Sequence, residues 1–178
     1  RTGLDAGVSS FGVLESTAGI ELRKAGVDVP LFAWMHGQDT DFAAKNNVEY
    51  TDMDTVLREA DFVTLHVALT PETRHLIGSE EFAKMKPTAY LINTSRGPVV
   101  DEAALIDALR GGRLKGAGLD VFEAEPLPGG SPLRGFDNVI LTSHAASASE
   151  RTVSVLRTKA AGAALDFLRG RRLVSALV

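Results

Sequence analysis

Short apolar runs recur along the chain, and most are apolar throughout rather than at every second residue. Strands are predicted at Ala6–Ser10, Leu31–Trp34, Val48–Tyr50, Phe62–Val67, Ala89–Asn93, Gly118–Phe122 and Val139–Thr142. Runs of this kind belong to strands covered on both faces, as in a parallel sheet. Helix signals fall between them. Asp52 caps a helix over Asp54–Ala60, and Ser79 caps one that opens on Glu80 and Glu81, whose acids suit its positive end. Asp101 caps Glu102–Arg110, with Leu105, Ala108 and Leu109 on one face and Gly111 as its stop. The last helix runs from about Ser149 to Arg169. There Val153, Leu156, Ala160, Ala164 and Phe167 recur at helical spacing and read as core. Strand and helix in alternation predict a doubly wound α/β fold, a mostly parallel sheet with helices on both faces.

Composition narrows the classes. The 178 residues suit one domain, which buries roughly 70% of its unfolded surface. An apolar content of 44% fits a globule, and no apolar run approaches the ~20 residues that span a bilayer. The N-terminus shows no charged-then-apolar secretory pattern, which points to the cytoplasm. It also lacks an initiator methionine, as in a chain processed or cut from something larger. Without cysteine there are no disulfides, thiolate metal sites or cysteine nucleophile. His36, His66, His75 and His144 show no H-E-x-x-H spacing, so no metal site is predicted. A net charge of −4 argues against nucleic acid as a partner. Arg169, Arg171 and Arg172 form a basic cluster that suits a solvated helix C-terminus. The chain contains no repeat, low-complexity tract or linker.

Three strand ends carry candidate chemistry. Arg96 follows the fifth predicted strand, Glu125 the sixth and His144 the seventh. In a parallel sheet these ends share one edge, where an arginine, a carboxylate and an imidazole can meet. An arginine fork matches the oxygens of a 2-oxo acid and stays charged. Histidine titrates near neutrality and so moves a proton in both directions. A carboxylate beside it favours its charged form, and Pro126 restricts Glu125 to extended backbone. Glu123 reads as solvent-facing. A competing pattern is hydrolytic: Asn93-Thr94-Ser95-Arg96-Gly97 is one residue short of G-x-S-x-G, and Asp120 and His144 follow in order. Against it, asparagine stands at the first glycine of a tight elbow, and Gly97-Pro98 delays the helix.

Several blocks, in order, carry a resemblance: Asp61-Phe62-Val63-Thr64-Leu65-His66, Leu69-Thr70-Pro71-Glu72-Thr73-Arg74-His75-Leu76-Ile77, Met85-Lys86-Pro87, and the segments around Arg96, Glu125 and His144. Together they resemble the D-isomer-specific 2-hydroxyacid dehydrogenases, strongly from about Val48 to about Ala146. The resemblance implies a Rossmann-type dinucleotide-binding domain over residues 1–178, without the family's N-terminal substrate-domain half. It implies hydride transfer between NAD and a 2-oxo or D-2-hydroxy acid, with Arg96, Glu125 and His144 catalytic, and a homodimer. Cofactor contacts would come from Phe11, Gly12, Val13, Leu14, Met35, His66, Val67, Ala68, Thr73, Thr94, Ser95, Arg96, Asp120, His144 and Ala146.

The chain departs from the family pattern at the phosphate turn. In the register Ser10-Phe11-Gly12-Val13-Leu14-Glu15, chosen to match the family's helix length, only the middle glycine of G-x-G-x-x-G remains. The register Gly7–Gly12 keeps the outer glycines instead. Met35 stands where an acid should take the ribose hydroxyls, which leaves NADP open. A damaged turn also fits a non-catalytic NAD(H)-responsive module, such as the similar C-terminal-binding-protein corepressors.

Overall fold

A computed structural model describes residues 11–13, 31–33 and 48–171. Seven parallel strands form one sheet. They are β1 (Phe11–Val13), β2 (Leu31–Ala33), β3 (Val48–Tyr50), β4 (Phe62–Leu65), β5 (Tyr90–Asn93), β6 (Gly116–Leu119) and β7 (Val139–Leu141). The strand order is β3-β2-β1-β4-β5-β6-β7. From β1 the chain steps outward to β3, then returns to β4 and steps the other way to β7. The order therefore reverses between β1 and β4, as in a doubly wound sheet.

Burial explains the apolar runs. Val63, Leu65 and Leu91 of β4 and β5 have no measurable exposure, alongside Val56 and Leu57 of α1 (Met53–Glu59). Phe82 of α2 (Ser79–Lys84) and Leu105 and Leu109 of α3 (Glu102–Arg110) join the same core cluster. Each such side chain contributes about 1.5–3 kcal/mol of transfer free energy. Two caps hold as expected: Asp52 accepts from the Thr55 amide at 2.8 Å and Asp101 from the Ala104 amide at 3.0 Å. The third differs. Gly78, not Ser79, takes the cap position of α2, and the Glu81 carboxylate reaches back to accept from the Gly78 amide at 3.1 Å. One ion pair ties two helices together, Lys84 Nζ donating to Asp54 at 2.8 Å.

Two strands differ from expectation. β6 begins at Gly116, paired with Tyr90, although Gly116-Ala117-Gly118 has little strand propensity; its neighbours impose the conformation. β1 is Phe11–Val13, with Gly12 paired to Phe32 and Val63, and the predicted strand Ala6–Ser10 lies outside the described residues. Phe11, Gly12 and Val13 are thus strand residues, and the register that put Gly12 in the phosphate turn is corrected. Leu14 and Met35 lie outside the described residues.

The chain divides into two compact units, Arg1–Ser143 and His144–Val178. The second contains α4 (Glu150–Leu168), capped by the Ser149 hydroxyl accepting from the Thr152 amide at 3.1 Å. Its apolar stripe is not the core that the spacing predicts. Leu156 is 55% exposed and Phe167 69%, because a lone helix has no second layer of its own to bury against. Among the described residues no helix is long and apolar enough to cross a membrane.

Candidate functional site

All strands run in one direction, so their carboxyl ends share an edge. Beside the reversal between β1 and β4, that edge opens into a cleft of about 530 Å³. One wall is His66, Val67, Ala68 and Leu69 after β4, and the other is Thr94, Ser95 and Arg96 after β5. Six of these seven were expected from sequence; Leu69 was not. In doubly wound sheets this crevice is where ligands sit.

The Arg96 wall is built by Asn93, which is 1% exposed at the last position of β5. Its side-chain oxygen accepts from the Ser95 amide at 3.0 Å and the Ser95 hydroxyl at 2.8 Å, and its amide donates to the Arg96 carbonyl at 3.0 Å. This Asx-type turn fixes three consecutive residues. Arg96 itself is exposed, its guanidinium donating to the Ser95 carbonyl at 2.6 Å. Next comes buried Gly97, which opens a 3-10 turn over Gly97–Val99. A Cβ at Gly97 would overlap the backbone of Phe122 and Glu123, so only glycine lets the two loops cross this closely.

The second loop, Asp120–Leu127, carries Glu125. Asp120 is 4% exposed; its amide donates to the Asn93 carbonyl at 3.0 Å and its carboxylate accepts from the Thr142 hydroxyl. The ends of β5, β6 and β7 are thereby joined. Glu125 is exposed, and its carboxylate accepts from the Phe122 amide at 3.0 Å. Glu123 is exposed, as expected, and its carboxylate accepts from His75 Nε2 at 2.7 Å. Beyond Glu125, Arg134 donates to the carbonyls of Leu127 and Pro128 at 2.8 and 3.1 Å.

On the opposite wall the structure places Thr73 behind the cleft lining. Thr73 is 9% exposed, its hydroxyl donating to the Ala68 carbonyl at 2.7 Å and accepting from the Thr70 amide at 2.8 Å. It shapes the loop that presents Ala68 and Leu69. His66 Nε2 lies 3.0 Å from the Thr64 hydroxyl. His144 and Ala146 belong to the second unit; both are exposed, and His144 takes a left-handed backbone with φ of 55°. Among the described residues no cluster of histidines and carboxylates could hold a metal ion.

Asn93 and Gly97 were missed by sequence reading. An asparagine closing a strand two residues before a serine is a legible turn signal. The Gly97 crossing has no local signal, since its partner segment lies 25 residues on.

An all-parallel, doubly wound sheet with a cleft at its carboxyl edge beside the reversal fits the class of dinucleotide-binding α/β domains. Residues 2–146 match the NAD binding domain of the D-isomer specific 2-hydroxyacid dehydrogenases, and the chain belongs to that family. It is 46% identical over 153 residues to a glyoxylate reductase of Korarchaeum cryptofilum, across 86% of this chain and 46% of that protein. The fold matches a D-isomer specific 2-hydroxyacid dehydrogenase of Lactobacillus delbrueckii ssp. bulgaricus in its NAD-complexed form, with TM-score 0.82 and 31% identity, covering 95% of this chain and 55% of that one. It also matches an NADPH-dependent glyoxylate/hydroxypyruvate reductase of Sinorhizobium meliloti complexed with NADP and sulfate, with TM-score 0.80 and 28% identity, covering 94% and 55%. The chain spans about half the length of these relatives.

Proposed function

We propose that this domain binds a nicotinamide dinucleotide, NAD before NADP, in the cleft between the β4 and β5 loops. With it, the chain contributes the polar groups for reducing a small 2-oxo acid, of the glyoxylate or hydroxypyruvate kind, to a 2-hydroxy acid. The observation that carries the reading is Arg96 on the wall of a cleft at the carboxyl edge of the sheet, beside the strand-order reversal. The lining fits the group: Val67 and Leu69 offer apolar contact to a ring, and Thr94 and Ser95 offer polar atoms to a ribose.

When bound, the reduced nicotinamide supplies a hydride to the carbonyl carbon. Arg96 holds the substrate carboxylate and carbonyl oxygen with its planar fork. Charge that develops on that oxygen is met by a proton from the His144 imidazolium. Glu125 supplies the carboxylate that would favour that charged form before transfer. The left-handed backbone of His144 supports a functional constraint there, since such conformations cluster at active sites. A serine hydrolase is disfavoured: the Ser95 hydroxyl donates to Asn93, and an amide oxygen is no general base. A homodimer and a cytoplasmic location complete the proposal, the first testable by light scattering.

The test is titration of the folded chain with NADH and, separately, NADPH. Binding is followed by energy transfer from Trp34, the only tryptophan. Saturable binding with NADH preferred, then consumption of NADH on adding glyoxylate, is the expected result. A folded chain that binds neither dinucleotide would sink the reading.

A further inference from the structure

We propose that Glu123, clasped by His75 and Glu102, is a positioning residue that fixes the carboxylate of Glu125 relative to Arg96. The inference rests on the proposed function for what Glu125 does, but not for the clasp itself.

The Phe122–Glu123 peptide is held from several directions. Gly97 lies against its carbonyl, in a contact that admits no side chain. The Glu123 amide donates to the Glu102 carboxylate at 3.3 Å, and the Glu102 amide donates back to Glu123 at 3.5 Å. The Glu123 carboxylate then takes His75 Nε2 at 2.7 Å. Carboxylate is an acceptor only, so that ring nitrogen carries the proton. On its other side the same segment offers the Phe122 amide to Glu125 at 3.0 Å.

His75 is itself fixed. Its backbone is left-handed, with φ of 53°, a conformation that persists only where the surroundings over-determine it. Here its amide donates to the Pro98 carbonyl at 2.8 Å, and the Ile77 amide to Val99 at 3.2 Å. Pro98 and Val99 belong to the turn that begins one residue after Arg96. The clasp therefore refers the Glu125 loop to the Arg96 loop through three segments distant in sequence. Distances between catalytic groups matter at the level of an ångström, and exposed loops do not hold them unaided.

Glu123→Ala removes the clasp, whereas Glu123→Gln keeps an oxygen for His75 and Glu102. Amide hydrogen exchange is the first readout. The Phe122 amide should exchange roughly tenfold faster in Glu123→Ala, and within about twofold of the parent in Glu123→Gln. The Leu91 amide, in β5, should be unchanged in both. Unaltered exchange at Phe122 overturns the clasp, and equal acceleration at Leu91 overturns it as a mere loss of stability. The second readout is glyoxylate reduction by the full chain. Glu123→Ala should lower kcat roughly tenfold with KM within about twofold, and Glu123→Gln should restore it. A raised KM at unchanged kcat overturns the positioning role. A parent chain that binds no dinucleotide defeats the proposed function instead, and exchange at Phe122 alone then decides the clasp.

Discussion

The loops after β5 and β6 carry the two charged groups of the first unit's candidate site, and they are held by opposite means. Arg96 sits on a turn closed by Asn93, through bonds spanning two or three residues. Glu125 sits on a loop held by Glu102 and His75, 21 and 48 residues from Glu123, and by the crossing at Gly97. Local bonds form a loop whose shape survives changes elsewhere. Long-range bonds make the second loop a reporter of the whole edge. Placing an acid beside the candidate site thus depends on the packing of α3 and the β4 loop, while placing the arginine depends on its own strand.

The largest break should come at Gly97→Ala, where a methyl group meets the backbone of Phe122 and Glu123. Backbone has no rotamer to yield, so a loss of about 3 kcal/mol or more in urea unfolding is expected. Glycine-to-alanine changes at open positions gain stability, so an unchanged urea midpoint would disprove the crossing. Arg96→Lys tests function on the locally held loop. Lysine keeps the charge but not the two-pronged fork, and kcat/KM for glyoxylate should fall about a hundredfold, near 2.7 kcal/mol of barrier. Its urea midpoint should not move, because the exposed guanidinium donates to the carbonyl of its own neighbour, Ser95. A parallel drop in stability would mean that Arg96 supports the turn itself.

Asn93→Ala is the corresponding break in the local loop. Three polar groups lose a buried partner, at a cost of about 2 kcal/mol. The damage should stay local. Exchange at the Ser95 amide should accelerate, while the Phe122 amide keeps its protection. Acceleration at both would erase the distinction between the loops.

That distinction also explains what sequence could disclose. Apolar runs, caps at Asp52 and Asp101, and the order of strand and helix are local signals, and they led to the doubly wound sheet. The blocks around Arg96 and Glu125 were legible as a family's wording. Their mutual placement was not, because Gly97, His75, Glu102 and Arg134 act across the fold and carry no pattern at short range. Glu123 is exposed as expected, but its bond to a histidine 48 residues away has no local signal. β1 is a different case: Phe11–Val13 is short and mildly apolar, and only its pairing with β2 and β4 marks it as a strand. On α4 helical spacing gave the helix correctly, yet spacing alone cannot say what covers the apolar face.

The smallest effect is expected far from both loops, where Lys84 pairs with Asp54 at 2.8 Å between α2 and α1. The hydrogen bond and charge of Lys84 hold the Asp54 carboxyl below its ordinary 3.8, and Asp54 in turn raises the Lys84 ammonium above 10.5. A lowered acid stabilises the fold above its unfolded value and loses that contribution as pH falls through the folded value. A raised base stabilises fully below 10.5 and loses its share as pH climbs past the folded value. Stability from the pair should therefore be flat between these limits and decline outside them. Asp54 is 42% exposed, so solvent screens the pair and keeps the effect small. Asp54→Asn should remove the pair's share of both declines in urea midpoint against pH, with exchange at Ser95 and Phe122 unmoved. A change at Phe122 but not at Ser95 would extend the network around the Glu125 loop as far as α1, and the contrast between a locally and a globally held loop would sharpen accordingly.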